Sequence, residues 1–416
     1  MVCGSFAQTH HHQASATPTN TFSVDWVIGE ILQNNPSLAA ARANVDAAEA
    51  RVTQARAWDN PRASFDTTAG RFVSVPDNSF TDQKIDVEQP IPVTRKNRIR
   101  GEAAKAESQV TAAGLHRREL DLIAKARASY LRLASAYELL NLNRESAIFL
   151  KQIADSARFK YEAGTETQAN LLNAETELAK LEEAAFDFQR QIADEESLLN
   201  TLMHRSPNSP LGRPVAPPMH IVETDFDQLS EIAFAHRPEI LTAQNKVAAA
   251  KSHLRLAQRE WYPDPSLRAE VSRYNGGSQA VSEFMVGFAV ELPWLNHKKL
   301  SAAVREQRAN VEAAEQELLA AKAETAGMIR EQLNKLHTFH HHYELFSAKV
   351  LPLSRQTIDA MQLSYQNGKT GFMDVMLTRH SAQDSEVMLI QHHADYQIAL
   401  AELEALIGAP LPKGKQ

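Results

Sequence analysis

Glu283-Phe284-Met285-Val286-Gly287-Phe288-Ala289-Val290-Glu291-Leu292 alternates without interruption. Phe284, Val286, Phe288, Val290 and Leu292 share one face, and Glu283, Met285, Gly287, Ala289 and Glu291 share the other. Successive side chains of an extended chain point to opposite faces, so a period of two reads as a strand with one apolar side. Three other segments behave the same way. In 63–70, Ala63, Phe65, Thr67 and Ala69 oppose Ser64, Asp66 and Thr68. In 84–88, Ile85 and Val87 oppose Lys84, Asp86 and Glu88, and in 267–272, Leu267, Ala269 and Val271 oppose Arg268, Glu270 and Ser272.

Outward from these strands the chain turns helical. Residues 96–161 contain no proline, and at the rise of an α-helix they would extend on the order of 100 Å. Their counterpart, 298–365, is broken only at Pro352, where a kink is expected. Alanines such as Ala103, Ala106, Ala112, Ala113, Ala124, Ala126 and Ala128 leave room for close packing, as coiled-coil walls require. Helices alone would also suit an ordinary soluble coiled coil.

The halves are duplicates. Asn35-Pro36 returns as Arg237-Pro238, and Val45, Ala47 and Ala48 return as Val247, Ala249 and Ala250. Trp58-Asp59-Asn60-Pro61 is echoed by Trp261-Tyr262-Pro263-Asp264-Pro265, and Val87-Glu88-Gln89-Pro90 by Val290-Glu291-Leu292-Pro293. Tyr161-Glu162-Ala163-Gly164 matches Tyr365-Gln366-Asn367-Gly368. Each half therefore reads helix (the first from Pro36 to Trp58), strand, strand, long helix, turn, helix. The expected division is 1–24 signal remnant and polar tail, 25–205 first repeat, 206–224 linker, 225–410 second repeat, and 411–416 tail. The linker rests on Pro207, Pro210, Pro214, Pro217 and Pro218, too dense for a helix or a central strand.

Nothing else in the chain could cover the apolar strand faces, which makes lipid their natural neighbour. A β-structure in lipid has to close, because an open edge leaves backbone groups unpaired. Four strands cannot close, and a dimer's eight would enclose only side chains. Three chains supply twelve and leave a lumen. The expected fold is thus mainly α with membrane β: a long α-helical coiled-coil barrel plus a twelve-stranded β-barrel shared by a trimer.

Composition agrees without deciding. The 416 residues are 43% hydrophobic and 23% charged, enough for a large core, and the net charge of −7 argues against nucleic acid. No run of 18 apolar residues offers a transmembrane helix. Ser5-Phe6-Ala7 before Gln8 reads as a small-x-small export cleavage site that lacks its charged and apolar lead, so a true start further upstream is expected. Cys3, the one cysteine, precedes that site, and lipidation there is the alternative to an incidental residue. A cysteine-free mature chain suits an oxidising periplasm.

The Asn-Pro helix start, the Val-Glu-x-Pro strand end and the Tyr-x-x-Gly turn, each within a duplicated half, resemble the TolC-like outer-membrane efflux family over roughly 25–410. The run Val286 to Asn296 is similar to its heavy-metal (CzcC-like) branch. The resemblance implies an outer-membrane channel with a periplasmic helical tunnel. It would be a homotrimer that exports substrates, heavy-metal cations foremost, received from an inner-membrane RND-type pump through a periplasmic adaptor. The alternatives are a drug or organic-toxicant channel, a type I secretion channel, or a periplasmic coiled-coil scaffold. It further implies that Tyr161, Gly164, Thr165, Tyr365, Gly368 and Lys369 form the adaptor-docking tip, and that Asp374 lines the closed periplasmic entrance. Leu377 stands where the family tends to place a second acid, and Lys369-Thr370 where an arginine often follows the glycine.

Three readings of the residues complete the picture. Gly164 and Gly368 can take the left-handed conformation that caps a helix. On the polar strand faces Asp66, Asp86, Glu88, Glu270, Glu283 and Glu291 outnumber Lys84 and Arg268, predicting a negative wall that favours cations. The histidine runs 340–342 and 392–393 do not predict a metal site, because adjacent helical residues diverge by about 100°; His337 and His341 have usable spacing but no evident third ligand. No phosphate loop or nucleophile motif suggests an enzyme, and no cofactor is expected.

Overall fold

The computed structural model describes residues 21–67, 81–219, 221, 225–276 and 279–411. Strand β1 (Thr21–Phe22) leads into helices α1 (Val24–Asn34) and α2 (Pro36–Arg56), then strands β2 (Arg62–Thr67) and β3 (Thr81–Pro90). Helices α3 (Lys96–Glu162) and α4 (Gln168–Leu202) follow, then the two-residue strand β4 (Arg213–Pro214). The second half repeats the series as α5 (Phe226–His236), α6 (Pro238–Arg259), β5 (Pro265–Gly276), β6 (Gln279–Val290) and a short 3-10 turn (Pro293–Asn296). It continues with α7 (His297–Leu345), a π-helical turn (Phe346–Val350), α8 (Leu351–Gln366) and α9 (Phe372–Ile407).

Several boundaries depart from expectation for physical reasons. The first helix of each half is preceded by another, α1 or α5, which the proline signal concealed. A residue before proline is driven out of the helical region, and Asn35 (ψ 119°) and Arg237 (ψ 125°) both sit extended there. Asn35 closes α1 and caps α2 at once: its Oδ1 accepts from Ser37 N at 2.9 Å while its Nδ2 donates to Leu202 O at 2.9 Å. The Asn-Pro motif is thus a helix corner pinned to the end of α4. α2 stops at Arg56, leaving Trp58 outside it. The break expected at Pro352 is the π-helical turn just before it. Proline cannot donate to the carbonyl four residues back, and a widened turn accommodates the shifted bonding.

The polar tail and the linker meet. β1 pairs in parallel with β4, so Phe22 and Pro214 are partners. Phe22 is buried and stands edge-on to Tyr130, centroids 5.4 Å apart, while Tyr130 Oη donates to Phe22 O at 2.8 Å.

α3 runs for 67 residues, about 100 Å at the helical rise. Its buried Ala103, Ala106, Ala113 and Ala126 let it lie close against α2, α4 and α6. Two equivalent cores anchor the halves. Val27, Ile31, Leu133 and Leu199 are fully buried where α1 meets α3 and α4, and Leu229, Ile329, Leu403 and Ile407 repeat that junction with α5, α7 and α9.

All four long strands form one antiparallel sheet in the order β2-β3-β5-β6, with the two halves joined at β3–β5. Positions 68–70, assigned from sequence to the first strand, lie outside the described residues. The last strand ends at Val290, so Glu291 and Leu292 fall beyond it. Where strands meet helices, Asp264 accepts from Thr94 N at 2.9 Å and Thr94 Oγ1 at 2.7 Å and pairs with the buried Lys96 at 3.3 Å. Burial alone would raise this carboxyl; the Thr94 bonds and the Lys96 charge more than offset it and hold its pKa below the ordinary value.

Candidate functional site

The sheet presents two chemically distinct faces, and the register extends the alternation of single strands into rows across all four. Phe65, Ile85, Val271 and Phe284 form one continuous row, and Ala63, Val87, Ala269 and Val286 the next. Phe288 stands opposite Leu267 on the same side. These side chains have little cover from the rest of the chain: Phe288 is 81% exposed and Phe284 71%. A contiguous apolar surface of this kind marks a membrane or protein contact. The outer edges of β2 and β6 have no strand beside them among the described residues, a ready template for pairing with another chain.

Rows on the opposite face are polar. Asp66, Lys84, Ser272 and Glu283 align, and so do Ser64, Asp86, Glu270 and Met285. Arg268 reaches Asp86 at 2.7 Å and Glu270 at 3.4 Å, and Lys84 reaches Glu270 at 3.0 Å. Ser64 donates to Asp86 at 2.6 Å and Ser266 to Glu88 at 2.6 Å. The face is therefore less negative than a list of its carboxylates suggests. Asp86 and Glu270 are compensated, Glu291 lies beyond the strand, and Arg62, opposite Glu88, adds a cation that the sequence reading had not placed there. Asp66, Glu88 and Glu283 remain without an ion pair among the described residues.

At the far end of the molecule, two turns join α3 to α4 and α8 to α9. Gly164 (φ 75°) and Gly368 (φ 69°) are both left-handed. Thr165 N donates to Lys160 O and Lys369 N to Ser364 O, each at 2.9 Å, the bond that closes a helix end over a glycine. Tyr161, Gly164, Thr165, Gly368 and Lys369 are exposed or nearly so. Tyr365, expected at the same tip, is less exposed than these. It lies half-buried between the hairpins, with Lys160 Nζ 3.8 Å above its ring and Phe372 edge-on at 6.4 Å, so it joins the two turns. Asp374 is exposed in the first turn of α9, where its carboxylate accepts from Gly371 N at 3.2 Å. It caps the helix, which fixes where its charge stands.

Further up, α3, α4 and α9 enclose a cavity of about 580 Å³ lined by Leu150, Leu181, Met373, Met376 and Arg379. Arg379 donates to Ser146 at 3.2 Å and lies 5.0 Å from the Phe149 ring. Sequence reasoning missed it because its neighbours are distant in the chain.

Proximity among the histidines also differs from what spacing suggested. The close pair is His342 of α7 and His392 of α9, centroids 4.9 Å apart, rather than His337 with His341. Among the described residues no three His, Cys, Asp or Glu side chains converge as a metal site, and no helix there is long and apolar enough to cross a membrane.

Comparison with known proteins adds ancestry. The sequence model of outer membrane efflux proteins matches residues 27–203 and 229–409. An uncharacterised protein of Haemophilus influenzae is 22% identical over 296 residues, covering 69% of this chain and 65% of its own length. The nickel-cobalt-cadmium resistance protein NccC of Alcaligenes xylosoxydans xylosoxydans is 23% identical over 279 residues, covering 65% of this chain and 61% of its own. The chain thus matches somewhat less than two thirds of the length of these curated relatives. Among solved structures, the outer membrane protein VceC of Vibrio cholerae superposes with a TM-score of 0.77 at 19% identity, covering 93% of this chain and 96% of that one.

Proposed function

Because the chain belongs to the outer membrane efflux protein family, we propose that it is one protomer of a passive export conduit through the outer membrane. Three copies join their sheets edge to edge into a twelve-stranded barrel in lipid, and their hairpins continue it as a tunnel in the periplasm. One observation carries this reading: among the described residues, a four-stranded sheet with an apolar face open to its surroundings and two unpaired edges sits at the end of helices about 100 Å long. None of the described residues covers that face, and only closure satisfies those edges in lipid.

Energy comes from elsewhere. An inner-membrane pump and a periplasmic adaptor deliver the substrate, and this chain contributes geometry, electrostatics and a gate. The match to a nickel-cobalt-cadmium resistance protein supports metal cations as cargo over drugs or secreted polypeptides. The residual carboxylates Asp66, Glu88 and Glu283, repeated three times around the lumen, would attract such cations. A periplasmic scaffold is the remaining rival, and solubility without detergent would favour it.

The tip supplies a test. A β-branched residue in the left-handed region is strained by about 1–2 kcal/mol, and no atom within 4 Å obstructs a Cβ at Gly368. Gly368→Val should therefore leave outer-membrane protein levels near normal, yet tilt the hairpin and displace Lys369 and Thr165, which we place at the adaptor contact, so export falls. Asp374→Asn keeps an oxygen for Gly371 N and removes only charge. It should preserve adaptor crosslinking while reducing the cation preference of single-channel currents. Normal export by Gly368→Val with adaptor bound would reduce the turn to a structural cap.

A further inference from the structure

Two imidazoles face each other between α7 and α9, beside the π-helical turn. The His342 and His392 rings are 4.9 Å apart at centroids, with planes inclined by 48°. Two imidazoles on one tetrahedral cation, each with a metal–nitrogen bond of about 2.0–2.1 Å, bring their centroids roughly 5 Å apart. The centroid separation of these rings matches that value. His392 Nδ1 is buried with no hydrogen-bond partner, an arrangement that a native fold rarely leaves unexplained. Phe346, at the start of the π-helical turn, stands edge-on to His392 at 5.2 Å.

The surrounding charges are few. Asp395 stands one turn along α9 from His392, with Arg132 of α3 nearby. His341 is the other imidazole near His342, at 6.4 Å. No third protein ligand converges on the pair among the described residues, so water must complete any coordination sphere.

We propose that His342 and His392 form an exchangeable site for borderline-soft divalent cations such as zinc, nickel, cobalt or copper, held by two imidazoles and water. Imidazole nitrogen suits these metals, and facing helices of a bundle are where such sites are built. A cation bound there ties α7 to α9 next to the one place where the long helix has lost its regular bonding. The proposal does not depend on what the conduit exports.

The test is zinc titration of the full chain by calorimetry, with copper(II) electron paramagnetic resonance alongside. Every sample carries His10→Ala, His11→Ala and His12→Ala, so that this run of imidazoles does not contribute to the signal. The parent should take up one zinc per chain and show copper coupled to two nitrogens. His342→Gln and His392→Gln should each weaken zinc binding at least about tenfold, given that outer-shell changes alone cost tenfold or more. Each should also remove one nitrogen from the copper spectrum, with helical content unchanged. His341→Gln should alter neither measurement. Parent-like binding by either pair variant, or absence of zinc binding by the parent, would overturn the site. Metal export measured in the same variants separates this result from the conduit reading: normal binding without metal export would overturn the choice of cargo alone.

Discussion

Phe288→Arg should destabilise the membrane-inserted protein by up to roughly 2–4 kcal/mol, the cost of a cation on the lipid face at the bilayer midplane, which falls towards the interfaces. Phe288 lies two residues before the end of β6, opposite Leu267 and 81% exposed, on the side where Phe65, Ile85, Val271 and Phe284 align. Its neighbour three residues back, Met285, stands opposite Glu270 on the polar side. An arginine at Met285 would meet a carboxylate and water rather than acyl chains, so Met285→Arg should cost little. Urea unfolding of the two variants in the same detergent or vesicles measures the difference. Equal losses would mean that the faces are reversed or that neither side meets lipid.

A larger loss of fold stability is expected at Gly408 than at the two tip glycines, although all three share nearly the same backbone conformation. Gly164, Gly368 and Gly408 have φ of 75°, 69° and 76°. A Cβ at the tip glycines meets nothing within 4 Å, whereas one at Gly408 would lie 2.7 Å from His236 O and 3.1 Å from Arg237 Cα. Those are backbone atoms of the α5–α6 corner and cannot rotate away. The end of α9 is also fixed by Leu411 N donating to Glu404 at 3.2 Å and by the ion pair of Glu404 with Arg127. Gly408→Val should thus combine left-handed strain of about 1–2 kcal/mol with about 1–3 kcal/mol of overpacking. Gly164→Val should show only the first. Denaturant midpoints of the two variants, followed by helical circular dichroism, check the ordering. Identical shifts would show that the α5–α6 corner yields freely.

These contrasts show which parts of the molecule were legible in the sequence. Local periodicity located the four strands and divided their faces correctly, because alternation is a property of one strand at a time. Proline-free, alanine-rich stretches located α3 and α7 for the same reason. What escaped depends on residues meeting across the chain. The α1–α2 corner was hidden because Asn35 ends one helix and caps the next, so a single signal served two elements. The compensation of Asp86 and Glu270 required the β3–β5 register, which joins the two halves and cannot be read from either. Tyr365 carries a motif that matches Tyr161, yet its environment differs because Lys160 and Phe372 close around it. His342 and His392 lie on different helices, and only the packing of α7 on α9 brings them together.

The central claim is that one chain is an incomplete barrel. Among the described residues its sheet has four strands and two unpaired edges, too few to close around a lumen and too exposed to stand alone in lipid. The most direct measurement is the mass of the protein extracted from the outer membrane in mild detergent, by native mass spectrometry or light scattering with the detergent contribution subtracted. The account predicts a trimer of the mature chain, with no dimer accumulating on dilution. A stable, folded monomer would contradict it.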